Sequence, residues 1–186
     1  MRIAVTGGIA EGKSTLLKLL AGMGFECVSA DAAARDIFFD PSVQQDLSIL
    51  LGIEGEVSPL LLRSMIASDD SLRREVNLLL HPQIMALVLQ QSATFIEIPL
   101  LIETCLQSQF DAIWVAKCST ETKLSRLAER GIKEPSNQMF QVQFESEARL
   151  AFADCVFNTD LSIAETAEQL KKEVKSYGFP LVVSSE

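Results

Sequence analysis

Near its amino terminus the chain reads Gly7-Gly8-Ile9-Ala10-Glu11-Gly12-Lys13-Ser14-Thr15, with a first glycine, four residues, then Gly-Lys-Ser. This is the spacing of a phosphate-binding loop. Backbone N–H groups of Gly8, Ala10, Glu11, Gly12 and the residues after them converge on phosphate oxygens, and the start of a following helix adds partial positive charge. Lys13 neutralises the β and γ phosphates, the Ser14 hydroxyl can ligate Mg²⁺, and Thr15 can add a phosphate contact. Glu11 is the discordant member, a carboxylate in a loop built for anions. Its side chain is expected at the loop's outer position, pointing to water, where screening weakens its repulsion.

Such a loop serves kinases, GTPases and motor ATPases alike. Guanine specificity in GTPases comes with an Asn-Lys-x-Asp box, and Asn158-Thr159-Asp160 lacks the lysine. Asp31 is the next group with chemistry to offer. It follows a strand-like stretch, and in an open parallel sheet the carboxyl ends of the strands form the ligand-binding edge. A carboxylate there can accept the proton of an acceptor hydroxyl or organise the water around Mg²⁺. It can equally be the N-cap of the helix that follows. Arg35, one turn later, can pair with Asp31, reach an anionic substrate, or lie on an exposed helix face. Glu97 ends another strand-like stretch, where some phosphate-loop proteins place a Mg²⁺-organising acid.

The elements that must position these groups are legible in outline. The apolar "RIAVT" before the loop reads as a buried strand, and Lys13 to Met23 as the helix after it. "FECVSA", "TFIEIP", "DAIWVAKC" and "CVFN" continue the strand series. Between them, Pro41 opens a helix to about Leu51, and Ser119 caps one that Gly131 stops. A helix is expected from the polar "GIKEPSN" loop to about Leu150, and Ser162-x-x-Glu165 is a capping box that opens the last helix. From Ser58 the texture is helical, with segments Leu60 to Ala67, Leu72 to Leu80 and Pro82 to Gln91. Pro82 is expected to start a helix, with His81 in the turn before it; a structural role and ligand contact both fit His81. Five strands alternating with helices imply an α/β fold, a five-stranded parallel sheet flanked by helices, with a helical insertion.

The chain's 186 residues, 48% hydrophobic and 22% charged, fit one compact globular unit. No apolar run approaches the ~18 residues of a membrane span. The opening "MRIAVTGG" lacks the long apolar region of a secretory signal, so a cytoplasmic location is expected and no membrane partner. A net charge of −9 argues against nucleic acid as a partner, since that role demands basic surface. Four scattered cysteines and a single histidine suggest neither a zinc site nor a disulfide framework.

Taken in order, Gly7 to Thr15, "DAAAR" (31–35), "LLLHPQI" (78–84), "IPLLIE" (98–103), "RLAER" (126–130) and "EARLAFADCVFN" (147–158) resemble the landmarks of the dephospho-CoA kinase family. The pair "HPQI" and "IPLLIE" is far more specific than the phosphate loop. The resemblance implies a P-loop kinase in which residues 1–57, 93–125 and 151–186 form the nucleotide-binding core. Residues 58–92 would be the helical CoA-binding region and 126–150 a lid. It implies that ATP, with Mg²⁺, phosphorylates the ribose 3′-hydroxyl of dephospho-CoA, with Asp31 as general base and Lys13 and Arg130 stabilising transfer. Arg35, His81, Pro99 and Leu100 would contact the acceptor; Pro99 and Leu100 also fit packing at a strand end. Two departures stand out. The family's loop commonly reads Gly-Ser where this chain has Ala10-Glu11, and Asp-Ala-Asp is replaced by Ser29-Ala30-Asp31. Two other readings stay open, a small-molecule P-loop kinase with a nucleoside or sugar acceptor, and a silent nucleotide-binding protein.

Overall fold

The computed structural model describes residues 1–132 and 146–180. The chain divides into two compact units, Met1–Val28 with Ser92–Glu186, and Ser29–Gln91.

In the first unit, strand β1 (Ile3–Gly7) leads through the glycine loop into helix α1 (Lys13–Gly22), and β2 (Cys27–Ser29) follows. After the second unit the chain returns with β3 (Phe95–Glu97), β4 (Ala112–Lys117) and β5 (Cys155–Asn158), and among the described residues three further α-helices. The strand order is β2-β3-β1-β4-β5, and β1 pairs in parallel with β3 and β4. The five-stranded parallel sheet expected from the alternation of strands and helices is therefore present. Order 2-3-1-4-5 puts β1 at the centre, where successive connections depart to opposite sides, so the loop after β1 opens at the sheet's ligand-binding edge.

Period-two alternation fixes which side chains fill the core. Ala112, Trp114 and Ala116 of β4 share a face with Ile3 and Val5 of β1 and with Phe95 and Phe157, and all are buried. Trp114 lies between Phe95 and Phe157 with ring centroids 5.0 Å away on each side. Leu16 and Leu20 of α1 cover this face together with Leu170 and Val174 of the last helix. At the entry to β5, Asp154 and Ile113 exchange hydrogen bonds: the Ile113 N–H donates to the Asp154 carboxylate at 2.8 Å, and the Asp154 N–H to the Ile113 carbonyl at 2.9 Å.

Local caps set the helix starts where the sequence predicts them. Ser119 caps α6 (Thr120–Glu129), and the Ser162–Glu165 capping box opens α8 (Ile163–Ser176). Helix α7 (Ser146–Leu150) precedes β5. Much of the "GIKEPSN" loop and the first part of the helix expected after it fall outside the described residues, as does residues 133–145 of the expected lid.

The second unit is helical: α2 (Ala30–Phe38), α3 (Pro41–Leu51), α4 (Pro59–Ile66) and α5 (Asp70–Gln90). The expected insertion at 58–92 lies in this unit up to Gln91, beside α2 and α3. Phe38, Val43, Leu47, Leu51, Val57, Leu62 and Val76 form its core. Asp40 and Ser58 cap α3 and α4, each with proline in the first turn. The two helices expected on either side of His81 are a single helix, α5, with Pro82 inside it. Proline removes a helical N–H, here the one that would reach the Leu78 carbonyl; one residue on, the Gln83 side-chain amide donates to the Leu79 carbonyl at 3.0 Å. Burial of Val76 and Val88 on either side of the proline anchors both halves.

Candidate active site

The phosphate loop owes its shape to two unusual backbone positions. Ala10 and Gly12 have φ of +61° and +92°, left-handed values that L side chains rarely adopt. At Gly12 space enforces the choice too, because a Cβ would lie 2.9 Å from the Thr159 side chain. Gly12 occupies the N-cap position of α1, with no side chain closing that helix end. The start of α1 therefore offers its N–H groups and its positive pole to an anion.

Lys13 is nearly buried, and its ammonium donates to the Gly7 and Gly8 carbonyls at 3.0 and 2.9 Å. The ammonium thus sits within the loop's own circuit, where a bound phosphate would compete for it. The Ser14 hydroxyl donates to the Glu97 carboxylate at 3.3 Å, and Glu97 is 6% exposed at the end of β3. A hydroxyl and a buried carboxylate side by side are hard oxygen donors. They suit Mg²⁺, which is commonly held by one or two protein oxygens together with substrate phosphates. Thr15 follows on α1 and is exposed.

Glu11 does not point to water. It is 2% exposed, and its carboxylate accepts hydrogen bonds from the Gly8 N–H and, at 2.9 Å, from the Lys123 ammonium. Arg149 lies 3.6 Å away on the same carboxylate, and Glu103 is 3.9 Å from the Arg149 guanidinium. Burial pushes the Glu11 carboxyl up, but the Lys123 hydrogen bond, the Gly8 N–H and the charges of Lys123 and Arg149 outweigh it and hold it below the usual carboxylate range. The expectation of a solvated side chain failed because it weighed only residues near in sequence; the partners come from α6 and α7.

Arg126 is a second tie. Its guanidinium donates to the Ala10 carbonyl at 3.2 Å and to both the hydroxyl and the carbonyl of Thr159. The Thr159 hydroxyl donates to the Glu11 carbonyl at 2.9 Å. Asp160 accepts from the Ser119 N–H and hydroxyl, so the Asn158-Thr159-Asp160 corner joins β5 to α6 and to the loop. From the sequence, the Asn158-Thr159-Asp160 corner reads as lacking the lysine of a guanine box, with Asn158 matching the family's last strand. Lys123, Arg149 and Thr159 were given no role there. A loop carboxylate that demands neutralising cations was the one signal that could have led to them.

The remaining expected residues lie on other elements. Pro99 and Leu100 are half-buried in the turn after β3, and Arg130 is exposed at the end of α6. Asp31 and Arg35 are exposed on α2, where Asp31 lies in the first turn and Ser29 takes the N-cap position. No ion pair joins them among the described residues. His81 is exposed in the middle of α5 rather than in a turn.

A central strand, a phosphate loop with its lysine and serine in place, and a parallel sheet of order 2-3-1-4-5 define a P-loop phosphotransferase of the small-molecule kinase type. The family model for dephospho-CoA kinase matches residues 1–165. A dephospho-CoA kinase from Aggregatibacter actinomycetemcomitans is 31% identical over 92% of this chain and 90% of its own length. The chain belongs to the dephospho-CoA kinase family. A Thermus thermophilus crystal structure has the same fold, with a TM-score of 0.84 at 22% identity over 95% of this chain and 97% of that one. The dephospho-CoA kinase structure from Campylobacter jejuni aligns with a TM-score of 0.62 at 23% identity, covering 94% of this chain and 96% of that one.

Proposed function

We propose that the protein transfers the γ-phosphoryl group of ATP to the ribose 3′-hydroxyl of dephospho-CoA, giving CoA and ADP, the last step of CoA synthesis. The observation that carries this reading is the family match, which runs continuously through the loop, the helical unit and β5. In the step itself the acceptor oxygen bonds to the γ-phosphorus, the bond to the β–γ bridging oxygen breaks, and the hydroxyl proton leaves to a base. We assign that base to Asp31 and anionic-acceptor contact to Arg35, with His81, Pro99 and Leu100 as further acceptor contacts. Lys13 and Arg130 offset the charge that spreads over the transferring group. Phosphoryl transfer asks a protein mainly for alignment and charge stabilisation. Mg²⁺, held by Ser14, Glu97 and the phosphates, would supply charge neutralisation.

No described helix is long and apolar enough to cross a membrane, and we place the reaction in the cytoplasm. The test is purified protein with Mg-ATP and dephospho-CoA, with ADP and CoA measured together. Equimolar ADP and CoA are expected. Phosphorylation of a nucleoside or sugar in place of dephospho-CoA, or nucleotide binding without transfer to any acceptor, would overturn the assignment.

A further inference from the structure

We infer that Glu11 is a positioning residue that braces the phosphate loop from beneath by clamping Lys123 and Arg149 against the Gly8 N–H. The inference rests on the nucleotide half of the proposed function and is independent of the acceptor.

Three observations carry it. First, the carboxylate is buried against the loop's own backbone. A Cβ built on Gly8 would fall 2.6 Å from its Oε1 and 3.0 Å from an Arg149 nitrogen, so any larger residue at position 8 would push the carboxylate out of this place. Second, the charges alternate. Glu11 faces Lys123 at 2.9 Å and Arg149 at 3.6 Å, and Arg149 faces Glu103 at 3.9 Å. The Glu11 charge is thus met by cations of the fold itself. Third, Glu11 belongs to a set of bonds by which the protein's own groups hold the loop. Arg126 holds the Ala10 carbonyl and Thr159 the Glu11 carbonyl, at the point where Ala10 takes a left-handed φ. A backbone held in that shape beforehand has less ordering left to do when phosphate arrives.

This role gives a signature that direct phosphate contact does not. The loop's N–H groups cradle the inner phosphates, so loosening the loop weakens ATP and ADP alike and weakens ground and transition states together. KM then rises while kcat holds. Glu11→Gln keeps an acceptor for the Gly8 N–H and removes the charge that holds the two cations. Titration calorimetry should show both nucleotides weakened by roughly tenfold, the loss expected of one charge-assisted bond. Initial rates should show kcat at saturating ATP changed by less than about threefold.

Lys123→Met is the second variant and keeps the test decisive if Glu11→Gln loses its fold. It should weaken ATP and ADP equally, by about threefold, since Arg149 and the Gly8 N–H still hold the carboxylate. Tighter nucleotide binding in Glu11→Gln would mean that Glu11 repels the phosphates, and would overturn the inference. So would a loss in either variant confined to ATP, which would mean direct contact with the γ-phosphate. Wild-type protein that binds ATP but forms no CoA would sink the proposed acceptor and leave this result standing.

Discussion

The underside of the phosphate loop and the exposed face of α2 hold charged residues by opposite means. Beneath the loop, Glu11 and Arg149 are each 2% exposed and are fixed by ion pairs and backbone donors. On α2, Asp31 and Arg35 stand exposed, anchored only through a helix whose Ala33 and Phe38 are buried. A nucleotide's phosphates are the same for every substrate, and a site for them can be built rigid in advance. Asp31, proposed as the base that takes up the acceptor's proton, makes no side-chain hydrogen bond or ion pair among the described residues. Buried charge thus buys shape, and exposed charge keeps reactivity.

The sharpest way to break this contrast is at the two groups proposed to act on the reacting atoms. Asp31→Asn should lower kcat by about 10²–10⁴-fold, the range for losing a positioned general base. Its ATP affinity should stay within a factor of about two, because its helix remains packed through apolar residues. A mutant retaining most of its rate removes Asp31 from the base role. Lys13→Ala should cost about 10²–10³-fold in kcat, as for loss of a transition-state charge donor. Unlike Asp31→Asn it should also weaken nucleotide binding, since the Lys13 ammonium sits on the Gly7 and Gly8 carbonyls of the loop itself. Calorimetry and initial rates on the two variants separate the effects.

Stability gives the next contrast. Arg149→Met removes the guanidinium that lies 3.6 Å from the Glu11 and 3.9 Å from the Glu103 carboxylate, and breaking a buried pair costs about 3–5 kcal/mol. Arg35→Met, on an exposed face, should shift stability by no more than about 0.5 kcal/mol. Urea midpoints of the two variants measure the difference, and equal midpoints would show that the loop's charge cluster is not what holds α7 in place.

What was legible in the sequence follows how far apart the interacting residues lie. The buried strand β1 before the glycine loop, the caps at Ser119 and Ser162, and the Pro41 start of α3 depend on a few neighbouring residues and are read directly. Helix α5 was not, because its continuity through Pro82 goes with the burial of Val76 and Val88 on either side, which no local signal states. At the site, Lys13 and Ser14 were plain from spacing alone, whereas Glu11 was read with the wrong orientation. Its ammonium partner is 112 residues away, and nothing local in Ala10-Glu11-Gly12 states that a cation waits below. The motif specifies which atoms meet the phosphate; the tertiary fold decides where a variable loop side chain goes.

The smallest expected effect is a slope with pH. Glu11 has its folded pKa held below the usual carboxylate range by Lys123, the Gly8 N–H and Arg149 against the upward push of burial. Between that depressed value and the ordinary one, the unfolded chain binds the proton and the folded chain does not. Stability therefore rises with pH through that window. The contribution is complete above the ordinary carboxylate range and is lost as pH falls through the folded value. Asp40, Asp160 and Glu165 are depressed as well, by hydrogen bonds at exposed caps, so wild-type stability alone cannot isolate Glu11. The difference between wild type and Glu11→Gln can, because the cap carboxylates contribute equally to both. Urea midpoints taken from neutral pH down to about pH 3 should give a constant gap that narrows only below the ordinary carboxylate range, by at most about 1.4 kcal/mol per pH unit. A gap that stays constant to the lowest pH would show that the Glu11 charge does not carry the brace, and that its shape alone does.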